Sequence, residues 1–172
     1  MPLTPFHLGP ALLAGVVLYR FLDLPTVLAG SVVVDVRAAL VVFGPLDEPI
    51  HGVLTTFVGA TAVTLTLTVV VLALPDGVQS LLDIGRLAPT TSLGPVLAGA
   101  FVGTWSHVVL DSLLYADARP LFPLAENPLL REGVAFGPVY GGCLVAGLFG
   151  LAGYVFRRRQ ADGIRPVQRG PP

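Results

Sequence analysis

The chain has 172 residues, of which 53% are hydrophobic and only 12% charged, with a mean hydropathy of +0.79. Ordinary soluble domains carry about 25% charged residues, so the composition points to a chain made for lipid. A net charge of -1 offers nothing for nucleic acid, all ten basic residues are arginine, and the lone cysteine, Cys143, excludes an internal disulfide.

Five apolar runs approach the roughly 20 residues that a membrane crossing requires. The first, 8–22, ends with Arg20 close by and has neither a basic flank before it nor a small-residue cleavage site after it, so no cleavable signal peptide is expected. The second, 26–43, carries Asp35 and Arg37. The third, 52–74, is rich in Val and Thr, which favours strand in water. In lipid, its length and the need to satisfy every backbone group internally favour helix. The fourth is 93–115 and the fifth 134–156, just ahead of Arg157, Arg158 and Arg159. Pro25, Pro45, Pro49, Pro75 and Pro89 fall in the gaps, where helix breakers belong.

These runs predict an all-α, polytopic membrane helix bundle of about five transmembrane helices. Residues 1–156 form one membrane-embedded domain, and 157–172 a polar, Arg-rich, disordered tail. The arginines set its orientation. Arg20, Arg86 and the tail fall on one side, and Arg37, Arg119 and Arg131 on the other. The positive-inside rule then places a multi-pass protein in the cell membrane with its tail in the cytoplasm and its N-terminus outside. A re-entrant second run would invert the N-terminus.

That topology gathers the ionisable residues. His7 opens the first run, His51 opens the third, His107 and Asp111 close the fourth, and Asp35 lies toward the same side in the second. His107 and Asp111 are four residues apart and share a helix face. Gly99 and Gly103 continue that stripe and let a second helix approach, which aims the pair at protein rather than lipid. Ionisable groups inside a membrane are costly and mark function by default. Imidazole and carboxylate donors suit a divalent metal such as zinc, manganese or iron, with an open position for activating water. The competing structural roles are an interfacial histidine at a helix end and an Asp111 that accepts from Trp105, a loop amide or Arg119. Glu48 is a candidate general base, against an exposed acidic turn in "LDEP". Asn127 is suited to bracing its loop, and Asp117 with Arg119 forms either a local pair or a support over the site. Gly137 and Gly141, with Ala146 and Gly150, mark a close-packing face of the last run, first within the monomer and second for dimerisation.

Four segments resemble the membrane-bound, metal-dependent hydrolase family of bacteria and archaea, related to LexA-binding, inner-membrane-associated hydrolases. They are "TPFHLGPALL" at 4–13, "GSVVVDVRAAL" at 30–40, "PIHGVLTTFVGA" at 49–60 and "SHVVLDSLLYADARPLFPLAENPLL" at 106–130. The resemblance implies a small polytopic protein with a histidine/aspartate metal site. It implies little about substrate beyond a lipid or another membrane-associated molecule, because the family's label is itself inferred from its motifs. Two positions depart from the pattern. Val34 precedes Asp35 where the family has proline, and Thr55 stands where a second histidine, four residues after His51, is expected. The expected consequence is lower metal affinity or compensation by Glu48 or Asp47. A catalytically silent member that binds a metal or partner is the alternative, and a small transporter with a His/Asp relay is the third class.

Overall fold

The computed structural model describes residues 5–44, 50–88, 92–124, 127–131 and 136–164. Among these residues all regular structure is helical. The elements are α1 (Pro5–Val17), α2 (Leu24–Val33), α3 (Val36–Phe43), a 3-10 turn (Val53–Thr55), α4 (Phe57–Leu72), α5 (Asp76–Gly85), α6 (Leu93–Leu114) and α7 (Phe136–Ile164).

Three stretches are long and apolar enough to cross a membrane: Leu24–Phe43, which joins α2 and α3, Leu93–Leu114, and Phe136–Ala161. Helices α4 and α5 meet at 112° and together make a fourth, broken stretch, while α1 is shorter and apolar. The third run becomes helix despite its Val and Thr content. Thr61, Thr64 and Thr68 return their hydroxyls to carbonyls one turn back, at 2.7 to 2.8 Å. Its helix starts late, at Phe57, because Thr56 acts as N-cap and accepts from the Gly59 amide at 2.9 Å.

Helix α6 is the central post. It packs against α2 on one side and α4 on the other, while α7 packs along α1. The closeness of α2 and α6 depends on Gly103, where a Cβ would fall 2.3 Å from the Val27 carbonyl oxygen. Gly9 does the same for α1 and α7, since a Cβ there would lie 2.0 Å from the Cys143 oxygen. The close-packing face of α7 therefore runs through Cys143, Gly147 and Gly150. At Gly137 and Gly141, expected to pack within the monomer, a Cβ would meet nothing within 4 Å among the described residues.

One end of the bundle is an ion-pair knot. Arg86 is buried and donates from Nε to Asp23 at 2.6 Å and from Nη1 to Asp83 at 2.5 Å. Burial works against the Arg86 charge, but the bonds to Asp23 and Asp83 outweigh it and raise the pKa above its ordinary value. Asp23 also caps α2 through the Thr26 amide and hydroxyl, and its own amide reaches the Pro95 carbonyl at the start of α6. The guanidinium of Arg157 lies 4.2 Å from the Tyr19 ring centroid, and Arg158 approaches the Arg86 carbonyl at 3.5 Å. Residues 157–164, expected to be disordered, instead continue α7, and 165–172 lie outside the described residues.

Candidate metal centre

The opposite end of the bundle holds the histidines. Asp111 is 2% exposed and touches all three. Its Oδ1 lies 3.4 Å from His7 Nε2, and its Oδ2 lies 3.1 Å from His107 Nε2 and 3.6 Å from His51 Nε2. Asp35 Oδ1 is 3.2 Å from His107 Nε2. The His7 and His107 rings stack with centroids 3.9 Å apart. Five residues from α1, the α2–α3 junction, the segment before the 3-10 turn and α6 thus meet in one cluster. Glu48, the candidate general base, and Asp47 lie outside the described residues.

Local folding sets each ring. Helix α2 breaks at Val34 and Asp35, where the Asp35 amide bonds to the Val32 carbonyl at 3.0 Å and not to that of Ser31. The Ser31 carbonyl is left to accept from His107 Nδ1 at 2.7 Å. A carbonyl only accepts, so His107 carries its proton on Nδ1. In the neutral ring Nε2 is then a lone pair, and it faces two carboxylate oxygens. His51 is held the same way, with Nδ1 2.8 Å from Asp117 Oδ2, which aims its Nε2 at Asp111. Tyr115 stacks on the His51 ring at 4.7 Å. The Asp117 segment is itself anchored, because the Phe57 amide at the start of α4 donates to the Pro120 carbonyl at 2.9 Å.

With the ring neutral, Nε2 is one acceptor facing others. Among the described residues, His7 Nδ1, His107 Nε2 and Asp111 Oδ1 are buried and have no hydrogen-bond partner. Buried polar atoms are almost always paired, so orphans at the centre of a cluster of acids and imidazoles are atoms that a cation could pair. The donor spacing fits one. Zinc–nitrogen and zinc–oxygen bonds of about 2.0–2.2 Å place tetrahedral ligands about 3.3 Å apart. The contacts of 3.1, 3.2, 3.4 and 3.6 Å bracket that value. His7, His107 and Asp111 form a buried group whose donor atoms lie within 4.8 Å of one another and can hold a metal ion. The outer contacts of His107 and His51, to a backbone carbonyl and to a carboxylate, are those that orient metal-binding histidines.

Trp105 does not serve Asp111. Among the described residues its indole N–H is buried without a partner, and its ring sits against Phe57 and Phe101. Asn127 braces its loop by donating to the Ser112 and Tyr115 carbonyls at 2.8 and 2.9 Å, which closes the end of α6 just beyond Asp111. Thr55 is buried, and its hydroxyl donates to the Gly52 carbonyl at 2.8 Å. Positions 51 and 55 span a bend and a 3-10 turn, so they do not share an α-helical face. The Ser31 carbonyl was not legible in the sequence, because a backbone group becomes a partner only where the helix ladder breaks.

Beside His51 a cleft of about 160 Å³ opens between the 3-10 turn and the segment after α6. No family model, curated protein or solved structure matches this chain.

Proposed function

We propose that the chain is a membrane-embedded, metal-dependent hydrolase that crosses the bilayer five times and acts on a lipid or membrane-associated substrate. The observation that carries this reading is His107. Its proton is committed to the Ser31 carbonyl, and its Nε2 is buried against Asp111 and Asp35. Three imidazoles and two carboxylates make a nitrogen/oxygen donor set suited to zinc, manganese or iron. That set is complete without an imidazole at position 55, which weighs against the catalytically silent alternative.

In the five-crossing arrangement α1 and α4 span with α2–α3, α6 and α7. At 13 residues, α1 covers only about 20 Å of a hydrocarbon core about 30 Å thick. The site lies seven residues inside the end of α6, roughly 10 Å below it. Arg20, Arg86 and Arg157–Arg159 lie toward the other end, so the positive-inside rule directs the site away from the cytoplasm.

A divalent cation held by His7, His51, His107, Asp111 and Asp35 would polarise the scissile group and lower the pKa of water. Asp111 sets the spacing of the three rings. Asp35, with its side chain 16% exposed against 2% for Asp111, is the more open carboxylate and takes the proton from an attacking water. Stacked His7 and His107 close the inner side of the site.

The test is metal analysis of protein purified without chelator, alongside His107→Ala. One metal ion per chain in wild type, lost in the variant, is the expected result. Wild-type protein that holds no metal, and whose melting temperature ignores added zinc and manganese, would overturn the reading. The cluster would then be an imidazolium held between carboxylates.

A further inference from the structure

We infer that the end of the bundle away from the histidines binds one anionic phospholipid, an acyl chain in the groove beside α5 and the phosphate against the arginines of α7; the inference rests on the membrane reading above and not on the metal. The groove has a volume of about 350 Å³. Four helices wall it: Leu12 of α1, Leu28 of α2, Leu81 and Leu82 of α5, and Leu151 and Tyr154 of α7. Leu12 and Leu151 also wall a second apolar groove, of about 360 Å³, which carries the furrow along α1 and α7 toward Phe6. Leu81 and Leu151 are 67% and 54% exposed, so the groove is open from outside the bundle. Helix α5 forms one side of it. It is bent by 112° from α4 and so crosses the end of the bundle instead of running along it. Gln79 and Asp83 are turned to Arg86, while Val78, Leu81 and Ile84 are left exposed. An exposed apolar stripe on such a helix belongs at the boundary between headgroups and acyl chains.

The head of the groove is basic. Arg158 lies one turn beyond Tyr154 on α7, and its Nη1 approaches the carbonyl of Arg86, next to groove-lining Gly85, at 3.5 Å. The guanidinium of Arg157 lies 4.2 Å from the Tyr19 ring centroid and that of Arg20 lies 5.7 Å from it, which brings two more cations to the same end. Arg86 is committed to Asp23 and Asp83. The partners of Arg20, Arg157 and Arg158 are a tyrosine ring, its hydroxyl and a backbone carbonyl, and no carboxylate among the described side chains pairs with them. Arg157 and Arg158 are also partly buried, so some of their water is gone. Guanidiniums bind phosphate through paired N–H groups in one plane. In the five-crossing arrangement this end faces the cytoplasm, where anionic lipids attract basic segments beside the membrane. A zwitterionic lipid would fill the groove but set its own ammonium against the arginines. A free anion would meet the arginines and leave the groove empty. An anionic phospholipid satisfies both.

The experiment uses the full chain in uncharged detergent micelles. Binding of dioleoyl phosphatidylglycerol and of dioleoyl phosphatidylcholine, which share their acyl chains, is measured by native mass spectrometry, which counts lipids on each chain. One phosphatidylglycerol per chain should bind, about tenfold or more tighter than phosphatidylcholine. Arg157→Gln and Arg158→Gln should each weaken phosphatidylglycerol about fivefold and leave phosphatidylcholine within about twofold, the usual effect of one basic side chain at an anionic surface. Leu81→Trp and Leu151→Trp fill the groove from its open side without changing charge, and each should weaken both lipids about fivefold or more. Melting of every variant in lipid-free detergent should match wild type, because all four positions lie outside the core. Equal affinity for the two lipids would overturn the inference. So would a preference that survives both arginine substitutions, or one that survives both tryptophans, since diffuse surface charge would then hold the lipid. Protein that binds no metal leaves this inference standing. A chain that fails to float with phosphatidylglycerol vesicles would remove the membrane reading and this inference together.

Discussion

Asp117 offers the cleanest separation of metal chemistry from folding. Its carboxylate accepts from His51 Nδ1 at 2.8 Å, yet its side chain is 50% exposed. Removing a carboxylate that orients a metal-binding histidine typically costs about 10–100-fold in affinity, or about 1.4–2.7 kcal/mol. Solvent screens a half-exposed pair, so the lower end applies here and Asp117→Ala should weaken zinc binding about tenfold. Asp117→Asn keeps an oxygen that accepts from Nδ1 and loses only the charge, so its effect should be smaller. Neither change opens a core cavity. The chelated protein should therefore melt as wild type does, within about 0.5 kcal/mol of stability. Zinc affinity is read by competition against a chromophoric chelator, and stability by thermal melting in detergent with excess chelator. Unchanged zinc affinity in Asp117→Ala would refute the orienting role. A loss matched by equal destabilisation of the chelated protein would also refute it, because Asp117 would then be holding the loop rather than the ring.

Asp111→Asn should abolish metal binding and raise the melting temperature of the chelated protein, since it removes a buried charge that only a cation offsets; a lower melting temperature with chelator would count against this. Gly103→Ala should lower stability by about 1–3 kcal/mol by driving α2 off α6, and should weaken zinc binding because Ser31 moves away from His107; both are checked in the same titration and melt. Arg86→Ala strands buried Asp23 at the far end of the bundle and should cost about 3–5 kcal/mol while leaving the zinc affinity of the folded protein unchanged. Thr55→His should destabilise by about 1–3 kcal/mol, because a larger ring must enter a buried position and the bond to the Gly52 carbonyl is lost; tighter zinc binding with no loss of stability would refute it.

The apolar runs were legible because a helix able to cross a membrane needs a long, simple pattern. Each of the five runs contains a helix, and the gaps fall near the prolines. What composition concealed was where the helices break. The second run is one stretch long enough to span, Leu24–Phe43, but its helical hydrogen-bond ladder is interrupted at Val34 and Asp35, between α2 and α3. The third opens with His51 in sequence, but Thr56 starts its helix by capping Gly59, so His51 stands before the helix rather than on it. The expected helical pairing of positions 51 and 55 fails for that reason. Likewise Arg157, Arg158 and Arg159 read as part of a polar tail, but they lie on α7, which continues through Ile164.

The site was legible in its acids and bases and not in what orients them. The five-run reading brings His7, Asp35, His51, His107 and Asp111 to one end, and in the structure these five residues do meet there. Their precise aim comes from the breaks. If α2 continued unbroken, the Ser31 carbonyl would be taken by the Asp35 amide and His107 could keep either tautomer. Because it breaks, one carbonyl fixes one proton, and the remaining lone pair of a buried ring points at two carboxylates. A helix built for lipid tolerates such a pair only where α2 and α1 cover it, and Gly103 permits that cover by letting α2 lie directly on α6. The same glycine that lets the helices touch therefore also brings the Ser31 carbonyl within reach of His107, which is why packing and metal affinity should fail together when it is replaced.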